Sequence, residues 1–249
     1  MKLSYLVYRA VFRLAGLLVM RRPALQGLEH LPDGPCVIVG NHAQMYGPVA
    51  AELYLPFDRA IWCSAEMMHV KEVPAYAFQD FWSRKPRHTR WFYRLLSFLI
   101  APIAACTFSN AHCIGVYRDM RVMRTLRESV RRLQEGANIV IFPEHEVPHN
   151  RIVYDFQQSF IDLARLYRHQ TGQTLSFVPM YVCPALGRVL FGEPIAYDDA
   201  APADAERARV AQALMDAVTE LALSLPAHRV VPYPNLPKKA HPMSKETHA

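Results

Sequence analysis

The sequence lacks the features that mark several classes of protein. Its five cysteines are an odd number, lie far apart and form no Cys-x-x-Cys pair, which argues against a disulfide framework and suits a reducing cytosol. The 10 glycines and 19 prolines show no repeat period, so collagen-like and solenoid folds are excluded. Charged residues make up only 20% of the 249 residues and hydrophobic residues 51%. This composition is too apolar for disorder and is typical of one globular domain with a sizeable core.

The N-terminal segment lacks both a secretory signal and an uninterrupted membrane span. Arg9 and Arg13 break its apolar sequence and no small-residue cleavage site follows. The longest uncharged run, Leu14–Met20, is far shorter than the ~20 residues that a span requires. On a helix over residues 1–22, Lys2, Arg9 and Arg13 share one narrow stripe. A basic stripe on an apolar helix predicts contact with a membrane surface; a core helix with snorkelling arginines is the alternative.

The net charge of +6 calls for an anionic partner, either a membrane surface or a nucleic acid. The arginines within residues 121–132 fall largely on the outer side of one predicted helix, and neither an aromatic platform nor a nucleic-acid-binding motif accompanies them. We interpret them as a solvated face. The predicted partner is therefore a membrane lipid surface, and no nucleic acid is expected.

Short apolar runs alternate with helical patterns after Pro23. Strands are predicted at residues 36–40, 60–63, 114–117, 138–142, 175–182 and 189–191, and helices at 91–108, 119–135, 155–169 and 204–225. Uniformly apolar strands between helices indicate an α/β fold with a mostly parallel central sheet flanked by helices. Residues 91–108 are apolar all round and contain Pro102, so they form either a buried helix or one that dips into a membrane.

These patterns divide the chain into three segments. Residues 1–25 are predicted to be the amphipathic helix at the membrane interface, and residues 26–228 the α/β domain. Residues 229–249 contain prolines every few positions together with lysines, which predicts a flexible basic tail.

Three turns that follow predicted strands hold the candidate functional residues, because open α/β sheets bind ligands at the carboxyl ends of their strands. The first contains His42, which can take a proton from a substrate when its imidazole is neutral; a hydrogen-bonded structural histidine is the alternative. The second ends in Arg118, whose guanidinium suits a phosphate unless it pairs with Asp119 or another nearby acid. The third, residues 142–150, is dense in ionisable groups.

The third turn also contains the pattern of a zinc protease. His145, Glu146 and His149 match His-Glu-x-x-His, in which both histidines bind the metal from one face of a helix. Here Pro143 precedes the motif, Pro148 lies within it, and no clear third ligand follows. Because an interior proline disrupts a helix, we expect no metal site and keep a zinc hydrolase only as a remote alternative.

Taken in order, these turns resemble the blocks of the lysophospholipid acyltransferase family, which includes the 1-acylglycerol-3-phosphate acyltransferases. Asn41-His42 resembles the start of its Asn-His-x-x-x-x-Asp block, and Gly115 to Arg118 its phosphate-contacting block. Residues 141–144, Ile-Phe-Pro-Glu, resemble the opening of its Phe-Pro-Glu-Gly-Thr-Arg block, and residues 177–181 resemble its Val-Pro-Val block. The similarity runs from about residue 30 to residue 225, which is most of the chain.

The resemblance implies an O-acyltransferase that moves a fatty acyl group from an acyl thioester, either acyl carrier protein or coenzyme A, to a lysophospholipid or related glycerolipid hydroxyl. It makes His42 the general base, and it places Asn41, Gly115, Arg118, Pro143 and Glu144 in substrate binding. No cofactor is implied beyond the acyl thioester as co-substrate. The implied location is peripheral, on the cytoplasmic face of the membrane.

The chain departs from the family pattern at two points. The aspartate expected five residues after the histidine is Gly47, and loss of the carboxylate that orients a catalytic histidine costs on the order of 10⁴ in rate in a related arrangement. Glu144, Glu146 and Glu66 are the candidate replacements. The third block loses its Gly and Arg, which favours a less anionic acceptor than glycerol phosphate. A degenerate member that binds lipid or an acyl thioester without turnover is therefore the main alternative.

Overall fold

A computed structural model of the chain describes residues 6, 8, 10, 12, 14, 16 and 20–245, except 84 and 118. The strands are β1 (Ala24–Gln26), β2 (Val37–Gly40), β3 (Arg59–Ser64), β4 (Cys113–Val116), β5 (Asn138–Ile141), β6 (Glu144–Pro148), β7 (Tyr154–Phe156), β8 (Ser176–Cys183), β9 (Arg188–Phe191) and β10 (Ile195–Ala196). The α-helices are α1 (Tyr46–Tyr54), α2 (Val73–Ala77), α3 (Arg90–Asn110), α4 (Val122–Gln134), α5 (Asp162–Thr171) and α6 (Ala203–Ser224).

Eight of these strands form one mixed, mostly parallel sheet. Its order is β1-β9-β8-β2-β5-β3-β4, with β10 paired to β8. The run β8-β2-β5-β3-β4 is parallel throughout, whereas β9 and β10 lie antiparallel to β8. The predicted α/β class with a mostly parallel sheet is therefore confirmed. The remaining strands, β6 and β7, form a separate antiparallel pair.

The central strands are apolar throughout because both faces of the sheet are covered. Alternate residues of β2 enter different cores: Val37 and Val39 pack with residues of α4, α5 and α6, while Ile38 packs with Ala51 of α1 on the opposite face. Successive side chains of a strand point to opposite faces. The sheet is thus the middle layer of a three-layer domain.

Helix α3 is much more exposed than a core helix. Its inner face buries Ser97, Ala101 and Ala105 against residues of α2 and the turn Ala65–Met68, while the other faces carry exposed apolar side chains. The buried alternative for residues 91–108 is therefore wrong. Among the described residues, the helical stretch Arg87–Asn110 is long and apolar enough to cross a membrane by length and composition.

The C-terminal segment differs from the expected flexible tail through residue 245. His228 is 4% exposed and its ring Nε2 lies 2.8 Å from the hydroxyl of Tyr181. The amide of Ser244 donates to the carbonyl of His228, and that of Val230 to the carbonyl of Pro242. Prolines and lysines are typical of mobile tails, but here buried polar contacts hold the segment on the domain.

Two local predictions were also wrong. The helix predicted over residues 155–169 begins only at Asp162, because Tyr154–Phe156 pairs with β6 as a strand. Residues 144–148, predicted as a loop, form the partner strand of that pair. In both cases a long-range pairing determines the local structure, and a short sequence window does not contain it.

Candidate active site

The carboxyl end of β2 places two of the predicted residues at the edge of the sheet. Asn41 follows the strand directly and is 2% exposed. Its side-chain amide accepts a hydrogen bond from the amide of Val182 at 2.7 Å and donates to the carbonyl of Val182 at 3.1 Å. Asn41 thus joins the ends of β2 and β8, which supports the next residue, His42. Its predicted contact with substrate stays a prediction.

His42 lies at the start of an unusual turn. Ala43 and Gln44 both adopt positive φ, 45° and 56°, a region that costs non-glycine residues of order 1–3 kcal/mol each. This turn brings the backbone carbonyl of Gln44 into a hydrogen bond with Nδ1 of the His42 ring. The strained backbone therefore fixes the orientation of the imidazole.

That hydrogen bond also fixes the tautomer. A carbonyl oxygen can only accept, so Nδ1 must carry the proton and the lone pair lies on Nε2. Burial lowers the pKa of His42 below its ordinary value of 6.5, which keeps the ring neutral near pH 7. Among the described residues no carboxylate bonds to the ring. His42 therefore has the protonation state of a general base, with a backbone carbonyl where a carboxylate was expected.

Glu144 stabilises the turn that begins at His42. It is 3% exposed, and its two carboxylate oxygens accept hydrogen bonds from the amide of His42 at 2.5 Å and the amide of Tyr154 at 2.9 Å. Burial raises the pKa of Glu144 to about 7, against the effect of these two amides. Glu144 was predicted as a partner of His42, and it contacts the backbone of that residue instead of its ring.

Aromatic rings surround the imidazole. Phe142, which follows β5, and Tyr233, from the C-terminal segment, meet the His42 ring edge-on at centroid distances of 5.6 and 5.7 Å. Tyr154 lies 6.1 Å from Tyr233, and the side chain of Gln44 donates to the carbonyl of Pro234 at 3.4 Å. The C-terminal segment therefore forms one wall of the site.

Gly47 has no room for a side chain. A Cβ at this position would lie 2.6 Å from the carbonyl oxygen of His42 and 2.9 Å from Cε1 of Phe142. Both distances are shorter than real contacts of a Cβ. The absence of the expected aspartate is thus a property of the turn, in which the backbone occupies the space that a side chain would need.

The other candidate carboxylates are engaged or exposed elsewhere. Glu66 accepts a hydrogen bond from the hydroxyl of Ser64 at 2.5 Å, and Glu146 is exposed on β6. The hydrogen bonds described for the His42 ring include neither carboxylate, and replacement of the aspartate by one of the three glutamates stays a prediction.

Of the remaining predicted site residues, two lie in described parts of the structure and four do not. Gly115 allows β4 to approach the turn after β3, because a Cβ there would meet the sulfur of Met68 at 3.0 Å and the Cβ of Ala65 at 3.2 Å. Pro143 is buried, and its carbonyl accepts from the amide of Gln157. Contacts of both with substrate stay predictions. Arg118, predicted to hold a phosphate, and Lys2, Arg9 and Arg13, predicted to contact the membrane, lie outside the described residues.

The zinc-protease pattern does not form a helix. His145 lies within strand β6 and His149 directly follows it, so at about 3.3 Å per residue they are on the order of 13 Å apart along the chain. Nε2 of His145 lies 3.1 Å from a carboxylate oxygen of Asp155 on the neighbouring strand. Within the described part of the chain, no group of three or more His, Cys, Asp or Glu side chains could hold a metal ion.

A cleft of about 550 Å³ opens near the site. It is lined by residues before β1, by Tyr46 and by the turn that follows β8; these are Met20, Arg21, Arg22, Ala24, Tyr46, Pro184, Ala185, Leu186 and Gly187. The carboxyl ends of β2 and β8 lie at one edge of the parallel sheet, so this cleft and His42 share that edge. Its two arginines make it suited to an anionic group.

Sequence reasoning missed the contribution of Gln44 and the aromatic wall. The carbonyl of Gln44 cannot be recognised in the sequence, because every residue has a backbone carbonyl and only the backbone conformation directs this one at the His42 ring. Tyr233 lies 191 residues from His42 in a segment whose composition indicated a tail.

No protein-family model matches the chain, and no curated protein matches it. The structure is similar to the crystal structure of the 1-acyl-sn-glycerophosphate (LPA) acyltransferase PlsC from Thermotoga maritima, with 18% sequence identity and a TM-score of 0.47 over 87% of this chain and 79% of that chain. Similarity at this level does not assign a family, so the function proposed next is argued from the residues of this chain.

Proposed function

We propose that the protein is a peripheral-membrane O-acyltransferase. It transfers a fatty acyl group from an acyl thioester, carried by acyl carrier protein or coenzyme A, to a hydroxyl of a lysophospholipid or related glycerolipid. The proposed location is the cytoplasmic face of the membrane. His42 is the general base, and the chemistry requires no bound cofactor or metal.

One observation carries the proposal: the state of the His42 ring. Its Nδ1–H is bound to the carbonyl of Gln44, burial lowers its pKa, and Nε2 is left with its lone pair for a substrate. A general base must be deprotonated at the working pH and held in one orientation. Both conditions are met without a carboxylate.

The reaction follows from this arrangement. Nε2 of His42 takes the proton of the acceptor hydroxyl while the hydroxyl oxygen forms a bond to the thioester carbonyl carbon. The tetrahedral intermediate then collapses, the carbon–sulfur bond breaks, and the proton on Nε2 passes to the leaving sulfur. The products are an ester and a free thiol, and the imidazole returns to its neutral state.

The contacts of Glu144 support a second role beside the substrate binding that the resemblance implies. Because it is buried and its two oxygens accept from the backbone amides of His42 and Tyr154, Glu144 also holds the His42 turn in place. The two arginines of the nearby cleft supply positive charge for an anionic carrier or acceptor. Arg118 remains the proposed phosphate contact.

A second candidate function is binding of a lipid or acyl thioester without turnover. The observation that favours it is the aromatic cover on the imidazole, since Tyr233 meets the His42 ring directly. An acceptor hydroxyl must reach Nε2 beside this ring for catalysis to occur.

Thiol release separates these functions. Wild type, His42→Ala and His145→Ala would be assayed with long-chain acyl-coenzyme A and acyl carrier protein, using lysophospholipids and glycerol phosphate as acceptors. We expect acceptor-dependent release that falls about 100-fold or more in His42→Ala, since general acid–base catalysis contributes at least that factor. His145→Ala is the matched control and should retain activity.

Each other outcome points to a different function. No acceptor-dependent release by the wild type, combined with acyl-lipid binding, would support the binding protein. Loss of activity in His145→Ala but not in His42→Ala, with stoichiometric zinc in the purified protein, would support the zinc hydrolase.

A further inference from the structure

Helix α3 presents a continuous apolar face to solvent. Its most exposed large side chains recur at spacings of three, four and seven residues and include Trp91 (68% exposed), Leu95 (56%), Phe98 (66%), Leu99 (65%) and Ile103 (67%). Residues at these spacings lie on one side of a helix. An apolar face of this length is uncommon on a soluble protein and indicates an interaction surface.

The charged residues within α3 and just before it are all of one sign. No aspartate or glutamate occurs between Asp80 and Asp119. The basic residues Lys85, Arg87, Arg90 and Arg94 all lie at the start of α3 or just before it, and no charged residue follows in the helix. The aromatic residues 91–93 lie among these cations. Cations and amphipathic aromatic rings beside an apolar surface are suited to the anionic headgroup layer of a bilayer.

The other side of α3 is packed on the protein. Ser97, Ala101 and Ala105 are buried, and Arg94 and Tyr93 contact the rings of Phe78 and Trp82. A helix that crosses a membrane alone would leave this face in lipid. Because the domain covers this inner face along the helix, the geometry favours a helix that lies in the headgroup layer of the membrane with only its outer face in lipid.

The surface shares an edge of the sheet with His42. Helix α3 packs on the turn Ala65–Met68, which follows the carboxyl end of β3, and His42 follows the carboxyl end of the parallel strand β2. Two more exposed apolar residues lie in loops that follow these elements: Val70 (51% exposed), after the turn Ala65–Met68, and Met120 (95%), after β4. A bilayer bound to α3 would therefore lie beside the candidate active site.

We propose that the outer face of α3 docks the protein onto an anionic lipid bilayer, with the helix lying in the headgroup layer. The inference rests on the proposed function for its purpose, since a bilayer beside His42 supplies a lipid acceptor. It deepens that function by naming the docking surface, and the docking itself can be measured without activity.

Vesicle binding tests this surface. Wild type, Phe98→Glu and the control Leu223→Glu, an exposed leucine on α6, would be sedimented with vesicles of phosphatidylcholine and phosphatidylglycerol in equal parts. We expect Phe98→Glu to weaken binding by about 30-fold or more, because it removes apolar burial and adds a like charge to the anionic surface. Leu223→Glu should bind as the wild type does. Binding should also weaken on phosphatidylcholine alone and at 0.5 M salt.

Three readouts separate the possible outcomes. Brominated lipids should quench the fluorescence of Trp91, and Trp91→Phe should remove that quenching. Equal vesicle binding by wild type and Phe98→Glu would overturn the proposal, as would a lipid-free dimer that Phe98→Glu dissociates, because the face would then bind a second copy. Phe98→Glu should keep thiol release with a short-chain, monomeric acceptor. If wild type binds vesicles but releases no thiol with any acceptor, the proposed function is contradicted and the proposed docking surface is not.

Discussion

At the scale of single residues, the candidate site depends on a buried carboxyl group, Glu144, that contacts the backbone of His42 and not its ring. Glu144 is held between the amides of His42 and Tyr154, so it connects the turn after β2 to strand β7. Two amide donors favour the carboxylate, but burial outweighs them and raises the pKa of Glu144 to about 7. The proton that this group holds near neutral pH affects the stability of the whole site.

The stability of the protein should depend on pH through Glu144. Its pKa is raised above the ordinary 4.5, so the folded state holds the proton more tightly than the unfolded state. The resulting stabilisation is fully present below pH 4.5 and is lost as pH rises through about 7. The free energy of unfolding of wild type, relative to Glu144→Gln, should therefore fall by about 2–3 kcal/mol between pH 5 and pH 8.

Urea denaturation at four pH values in that range measures this difference. Glu144→Gln loses one amide contact at every pH, which adds a constant offset and leaves the slope interpretable. The exposed Glu220→Gln controls for the substitution itself. A wild-type advantage that stays constant with pH would contradict the raised pKa.

At the scale of elements, the turn from His42 to Gly47 replaces a missing side chain with backbone. Two consecutive residues with positive φ aim the carbonyl of Gln44 at the imidazole, and the same path leaves no space at Gly47. A carboxylate at that position and this turn are mutually exclusive. The chain therefore orients its histidine by a different device from the one that its sequence motif implies.

Introducing the aspartate of the motif that the sequence resembles should harm the protein. Gly47→Asp would force a Cβ to within 2.6 Å of the His42 carbonyl oxygen, so we expect it to lower the free energy of unfolding by about 1–3 kcal/mol and to reduce thiol release. The matched control is Gly34→Asp, because no atom lies within 4 Å of a Cβ there. Thermal unfolding and the thiol assay measure both effects. Higher activity in Gly47→Asp would show that the turn can open to accept a carboxylate.

At the scale of the whole molecule, the C-terminal segment from His228 to Lys245 completes both the core and the candidate site. His228 bonds to Tyr181 of β8, and its backbone amide donates to the hydroxyl of Ser244 at 3.1 Å. Five residues further on, Tyr233 contacts His42. Anchoring at His228 therefore positions the aromatic wall of the candidate active site.

Removing this anchor should loosen the segment. His228→Ala leaves the buried hydroxyl of Tyr181 without its partner, which should lower the free energy of unfolding by about 1–3 kcal/mol. It should also speed tryptic cleavage after Lys238 and Lys239. His169→Ala, on the exposed side of α5, is the control and should change stability by less than about 0.5 kcal/mol. Unchanged proteolysis in His228→Ala would show that other contacts hold the segment.

The sequence by itself determined the class of fold and the position of the candidate base. Apolar strands such as Val37–Gly40 and Asn138–Ile141 need cover on both faces, and that requirement alone predicts a parallel sheet between helices. A histidine two residues after such a strand must lie at the carboxyl edge of the sheet. Both inferences depend on the local pattern of apolar residues, which can be recognised within a few positions of the sequence.

Only the tertiary structure decided how the histidine is oriented, what covers it and which face of α3 is free. The backbone angles of the turn direct the Gln44 carbonyl at the ring. Tyr233 reaches His42 from 191 residues away in sequence. The strands β6 and β7 form because they pair with each other, against the preference of their local sequence. The outer face of α3 is exposed because the domain covers its inner face. These features depend on long-range packing and backbone geometry, and neither is encoded in a residue type or a short pattern.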